Sequence, residues 1–182
     1  MDLLVLILLT IIIIICIIFA GYTYLYNKFQ DFIIRINEAE ANIDTNLRHK
    51  YDLINKVVST IKSKEEIKSD IFDEIIKLRS RKISNFDLDR KLILAFNEFI
   101  NIKNNNKEFN KNDELNNIET EINEIDNKLV VLREYYNDNI SKYNRTVKTF
   151  PSNIVALINK YDEKLFFDRK DMNDNDFDDF KL

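Results

Sequence analysis

Glycine, proline, cysteine and histidine occur once each in this chain of 182 residues, and tryptophan not at all. Average usage would supply about 13 Gly and about 9 Pro at this length. Sheet-rich folds, phosphate-cradling loops and most enzyme sites need the turns those residues provide, so the chain is expected to be all-α. A lone Cys excludes an intrachain disulfide, and one Cys with one His excludes an ordinary zinc cluster. The net charge of −4 has the wrong sign for a protein that grips nucleic acid along its whole surface.

What the chain does have is a long apolar run. Leu3 to Ala20 reads LLVLILLTIIIIICIIFA, with Thr10 as its only polar residue. As a helix the run is roughly 27 Å long, and extended to Tyr26 roughly 36 Å, so either length can cross a bilayer. The Thr10 hydroxyl can bond back to its own helix, and Tyr22, Tyr24 and Tyr26 sit where amphipathic rings favour headgroups. The two residues before the run carry no Lys or Arg and no small-residue cleavage site follows it, which argues against a signal peptide. Ile13-Ile14-Ile15 before Cys16 lacks the small residues of a lipoprotein processing site. Residues 1–26 therefore read as a retained transmembrane anchor that contacts the lipid bilayer through 3–26. Lys28, Arg35, Arg48 and Lys50 follow it, so the positive-inside rule sets the N-terminus outside and the remainder in the cytoplasm.

Between Tyr22 and Phe150 there is no Gly and no Pro. Phe29, Ile33, Ile36, Ile43, Leu47, Ile54, Val57 and Ile61 recur at helical spacing, interrupted where Glu40 and Lys50 take seam positions. This first stripe runs out of the anchor with only Gly21 between. Ser63-Lys64-Glu65-Glu66 has the form of a capping box and predicts a second helix bearing Ile67, Ile71, Phe72, Ile75 and Leu78. Ser84 or Asp87 is expected to cap a third, bearing Leu88, Leu92, Ala95, Phe96, Phe99 and Ile100. Lys103 to Asn112 reads as a polar linker. Leu115, Ile118, Ile122, Ile125, Leu129, Leu132, Tyr136, Tyr143, Val147 and Phe150 then mark the clearest stripe, with Asn139 at one of its positions. The helices Asn27–Lys62 and Asp113–Thr149 come out at roughly 54 Å and roughly 55 Å. Two long helices with two shorter ones predict an elongated antiparallel bundle over 27–167. Pro151 ends the last long helix, a short apolar helix Asn153–Lys160 follows, and 168–182, with six Asp against three basic residues, reads as an acidic disordered tail.

Several residues carry a family resemblance. Tyr26-Asn27, Ile43-Asp44, Leu47-Arg48, Asp52-Leu53-Ile54 with Val57-Val58, then Arg133, Tyr136-Asn137, Ile140, Tyr143-Asn144, Phe150-Pro151, Ala156 and Phe166-Phe167 make the chain resemble the LemA family of bacterial membrane proteins. The run YN-x5-YN-x5-FP is its most specific part. Asn55 stands where that family has Pro, and Lys160 where it has Gly. The resemblance implies a helical bundle anchored in the bacterial cell membrane, with its N-terminus outside and its domain in the cytoplasm; it implies no reaction.

The candidate interaction or structural polar face comprises Asp44, Arg48, Asp52, Arg133, Tyr136, Asn137, Tyr143, Asn144, Phe150 and Pro151. Tyr136 with Tyr143, and Asn137 with Asn144, are each seven apart and share a helix face. Arg48 and Asp52 are expected to meet the Tyr136–Asn144 region across the bundle. His49 reads as a solvated residue. Asp171, Asn173 and Asn175 begin like a calcium loop, but Asp176 and Leu182 stand where the Gly and Glu of an EF-hand belong. No nucleophile–base pair or phosphate loop is found, so no catalytic, metal-binding or cofactor-binding residue is assigned. The expected role is that of a membrane-anchored scaffold, not an enzyme. Its expected partners are the bilayer and either another protein or a second copy of itself, with no nucleic acid or small molecule. The alternative is a membrane-associated enzyme or transport accessory with a polar site on the bundle.

Overall fold

The computed structural model describes residues 3–64, 69–78 and 83–167. It is all-α: among the described residues there are six helices and no strand. They are α1 (Leu3–Lys64), α2 (Asp70–Leu78), α3 (Asn85–Asn105), α4 (Lys107–Asn110), α5 (Asp113–Lys148) and α6 (Ser152–Asn159).

The apolar run and the first soluble stripe form one helix, α1, of 62 residues. Nothing interrupts it: Gly21 is helical, and at Asn55, in place of the family's Pro, the side-chain Nδ2 donates to the Tyr51 carbonyl at 3.0 Å. Thr10 donates to the Ile7 carbonyl at 2.7 Å, so its hydroxyl is satisfied within the apolar run.

The chain divides into two compact units, 1–38 with 135–166 and 39–134 with 167–182. In the second unit, Ile43, Leu47, Ile54, Val57 and Ile61 of α1 are buried, as are Leu115, Ile118, Ile122, Ile125 and Leu129 of α5. Phe72 and Ile75 of α2 and Leu92, Ala95 and Phe99 of α3 are buried with them. Lys56 pairs with Glu114, and Lys50 with Asp126, which sets α1 antiparallel to α5. In the first unit Phe29, Ile36, Ile140, Tyr143, Val155 and Ala156 form one buried cluster, with Tyr22, Tyr26, Tyr136 and Tyr161 packed against it.

Four local expectations need correcting. Ser63 is not an N-cap: it lies inside α1, where its hydroxyl donates to the Thr60 carbonyl at 2.8 Å. Ser69 opens α2 instead, its Oγ accepting from the Phe72 amide. Glu65, Glu66 and Ile67, and the tail 168–182, lie outside the described residues. Ala39, not Glu40, takes the seam position on α1, because the smaller residue leaves no charge to bury. The stretch Lys103–Asn112 is no linker. There α3 runs on to Asn105, Asn106 caps α4 through the amides of Glu108 and Phe109, and Asn112 accepts from the Leu115 amide at 3.1 Å. Its asparagines act as caps, and Phe109 between them is 1 % exposed. Phe150 is the fourth: instead of extending the α5 stripe it is 79 % exposed, because α5 has already ended at Lys148.

The junction of α5 and α6 contains a cis Phe150–Pro151 bond. Buried Ser152 holds it, its Oγ lying 2.6 Å from the Thr146 carbonyl and 2.8 Å from the Thr149 carbonyl. At the other end of α6, Lys160 has φ 55° and ψ 45°. The Tyr161 amide donates to Ala156 at 2.9 Å and the Lys160 amide to Leu157 at 3.3 Å, the two bonds of a Schellman motif. The tight turn is therefore kept although the family's Gly is absent. A residue with a Cβ is strained there by roughly 1–2 kcal/mol, partly offset in Gly by its larger unfolded-state entropy. Lys160→Gly is accordingly expected to stabilise the protein by about 0.5–1 kcal/mol. Denaturant unfolding of the full chain in detergent checks this, and a destabilised variant would show that the turn is not strained.

Candidate functional site

Of the candidate polar residues, Arg133 is the most deeply placed. It occupies a seam position of α5 between Leu129 and Tyr136, and its Nη2 donates to Asp89 Oδ1 of α3 at 2.7 Å. Both side chains are buried, Asp89 at 2 % exposure. The guanidinium carbon also lies 5.6 Å from the Phe167 ring, and Phe167 meets Phe86 of α3 edge-on at 6.1 Å. The structure thus brings together Arg133 and Phe167, which the resemblance singled out separately, and adds Asp89 and Phe86. An aromatic face on one side and a carboxylate on another satisfy a guanidinium better than water-excluded aliphatic neighbours would.

A second buried charge sits in the same unit. Lys50 is fully buried on α1, donates to Asp126 at 2.6 Å, and lies 5.6 Å from the Phe96 ring. Lys103, likewise buried, pairs with Glu119. Asp89 and Asp126 were missed as partners because their own helix spacing reads as solvated. Lys50 had the one legible signal, its place in an apolar seam.

The carboxylate–guanidinium ladder on α1 is exposed. Arg48 donates to Asp44 at 2.8 Å rather than to Asp52. That bond first, and the Asp44 charge second, hold the Arg48 guanidinium above its usual range. As an i, i+4 pair at the surface it contributes little. Asp52 is exposed. Beside this ladder, Lys50 meets Asp126 and the His49 Nε2 lies 3.2 Å from Glu121. The α5 residues level with Arg48 and Asp52 are therefore those near 121–126, and the expected meeting with Tyr136–Asn144 gives way to this register. His49 is exposed, as expected, with its Nε2 toward Glu121.

In the other unit, Tyr143 is buried and meets Phe29 edge-on, ring centroids 5.8 Å apart. Tyr136 and Val147 are partly buried against the same cluster. Asn144 donates to the Lys164 carbonyl and accepts from the Lys164 amide, each at 2.8 Å. A side-chain amide that makes both bonds to one backbone residue ties the segment after α6 to α5. Asn139, 2 % exposed, turns inward and donates to Tyr135 O at 2.7 Å, which accounts for a polar residue at a stripe position.

A groove of about 510 Å³ lies between α1 and α5, lined by Asn42, Asn46, Asn127, Lys128, Val131 and Leu132. None of the ten candidate residues lines it. Among the described residues no cluster of three or more His, Cys, Asp or Glu side chains is placed to hold a metal ion.

A family model described as LemA matches residues 39–177. The chain belongs to the LemA family. No curated protein matches it. The matched range takes in every residue block quoted above except Tyr26-Asn27, which lies before it. Within the LemA match, Arg133, Tyr143, Asn144 and Phe167 each make a contact that joins one part of the chain to another.

Two outcomes are expected. Asp126→Asn strands the buried Lys50 ammonium and destabilises by roughly 2–4 kcal/mol, discounted because Asp126 faces solvent in part, whereas Lys50→Met is near neutral. Chemical denaturation of both variants distinguishes them, and equal losses would refute the asymmetry. Burial, and next the neighbouring Tyr161 and Asp162, push the Tyr143 phenol above its ordinary 10.0. The unfolded chain then ionises first as the pH rises past that value. Stability is full below pH 10 and falls above it. Tyr143→Phe, which keeps the ring, is expected to flatten that alkaline decline in melts recorded across the range.

Proposed function

We propose that this LemA-family chain is a single-pass membrane protein whose helical domain, on the cytoplasmic face, recruits or organises protein partners. The observation that carries the reading is the continuity of α1. One helix supplies both an apolar stretch with no part covered by the chain and the seam that the soluble helices pack against. Among the described residues one helix is long and apolar enough to cross a membrane. Tethering raises the local concentration of weak partners and asks for no reaction chemistry.

What supports interaction over catalysis is the use made of the polar residues. Arg133 and Lys50 are engaged in holding helices together, and Asn144 in holding the backbone at Lys164. The groove on α1 and α5 is left open instead, with Val131 64 % exposed on its wall. The alternative, an enzyme or transport accessory, would need a site built on Arg48, Asp52 and the Tyr-Asn face.

A photo-crosslinking residue at Val131, introduced into the full-length protein in its native membrane, is expected to capture one reproducible protein partner. Capture of further copies of the chain alone would turn the reading to a self-assembling scaffold, and capture of nothing would count against a docking role for this face. Topology is checked by Ser59→Cys in a Cys16→Ser background. A membrane-impermeant maleimide should label the protein only after the cells are opened, and labelling of intact cells would place the domain outside.

A further inference from the structure

Helix α6 has two apolar faces. Val155 and Ala156 are buried in the cluster with Phe29, Ile140 and Tyr143. On the opposite side Ile154 is 50 %, Leu157 81 % and Ile158 61 % exposed, and Phe150 just before the helix is 79 % exposed. Positions 154, 157 and 158 follow helical spacing and share one apolar face of α6, and exposed Phe150 lies in the turn just before it. A helix apolar on all sides is at odds with water and normally has something covering it.

The location says what that cover is. Tyr22 lies two residues past the end of the apolar run, and its hydroxyl accepts from the Asn159 Nδ2 at 3.1 Å, so the C-terminal end of α6 is level with the end of that run. Tyr143 of α5 meets Phe29 of α1. The two helices are antiparallel, so the last turn of α5 descends roughly 7 Å from that contact toward Tyr22. After α6 the chain turns away again: the Tyr161 ring lies 5.0 Å from that of Phe29, tilted at 50°, and its hydroxyl accepts from Gln30 at 2.7 Å. Within this unit α6 and the Phe150 turn are therefore the soluble segment closest to the apolar run. Exposed Lys160 flanks the helix, a residue type that favours anionic headgroups at an interface, while Lys148 at the other end pairs with Glu163 at 2.8 Å.

We propose that α6 is a second membrane contact, lying in the headgroup region beside the point where α1 enters the bilayer, with Phe150, Ile154, Leu157 and Ile158 inserted among the lipids. The inference rests on the reading of Leu3–Ala20 as a span. It adds that the domain is held against the membrane by its own surface as well as by its tether.

The test uses the full chain in nanodiscs of phosphatidylcholine and phosphatidylglycerol, one copy per disc and no other protein. An environment-sensitive fluorophore is placed in turn on native Cys16, or on Leu157→Cys or Val131→Cys in a Cys16→Ser background, and doxyl-labelled lipids are added as quenchers. Leu157 faces outward, so the substitution leaves the core intact, and circular dichroism verifies it. The expected result is a blue-shifted emission at 157 that loses intensity to shallow quenchers. Cys16 should be quenched by deep ones, and Val131 by neither. Water-like emission at 157 with Cys16 quenched would overturn the second contact while leaving the span in place, and would free the α6 face for a protein partner. Failure at Cys16 would overturn the span itself, and the second contact with it.

Discussion

Backbone hydrogen bonding within α1 is the constraint on which everything else depends. A peptide surrounded by apolar side chains, or by lipid, has to satisfy its own N–H and C=O groups, and a helix does so within one segment. From Leu3 to Lys64 the helix meets no proline. The apolar stretch and the packing stripe are therefore consecutive parts of one element, and α5 pairs with α1 in both units. In each unit the remaining elements take their places on that pair.

The seam between the long helices is not purely apolar. Lys50 and Arg133 sit at positions that the stripe pattern reserves for aliphatic residues, each with a carboxylate from another helix and an aromatic ring beside it. Such pairs offset their desolvation only when the geometry is good, and an apolar pair of similar volume would often be as stable. Their physical consequence is register. A slip of one turn would leave a buried ammonium or guanidinium facing hydrocarbon, at a far higher cost than sliding leucine past leucine.

How much of this was legible depended on whether a signal was local. Ser84 capping α3 through the Asp87 amide, and the burial of Leu115, Ile118, Ile122 and Leu129, follow from spacing and cap chemistry that act within one turn. The asparagines at 106 and 112 were misread as linker because capping and loop-forming residues are the same types; what separates them is Phe109, whose burial depends on a distant surface. Asp89 was invisible as a partner of Arg133 because 44 residues separate them. Arg48 had two carboxylates at equal spacing, and only the rotamer decided for Asp44.

The residue list by itself determined the all-helical class, the uncovered apolar segment and membership of the LemA family, because each rests on composition or on short-range periodicity. Only the tertiary structure decided which charges are buried and with whom, and that the asparagine at 144 serves the backbone at 164. It also decided that α6 keeps an apolar face outward beside Tyr22. Those outcomes come from side chains far apart in sequence meeting across packed helices, where burial, not propensity, sets the free energy.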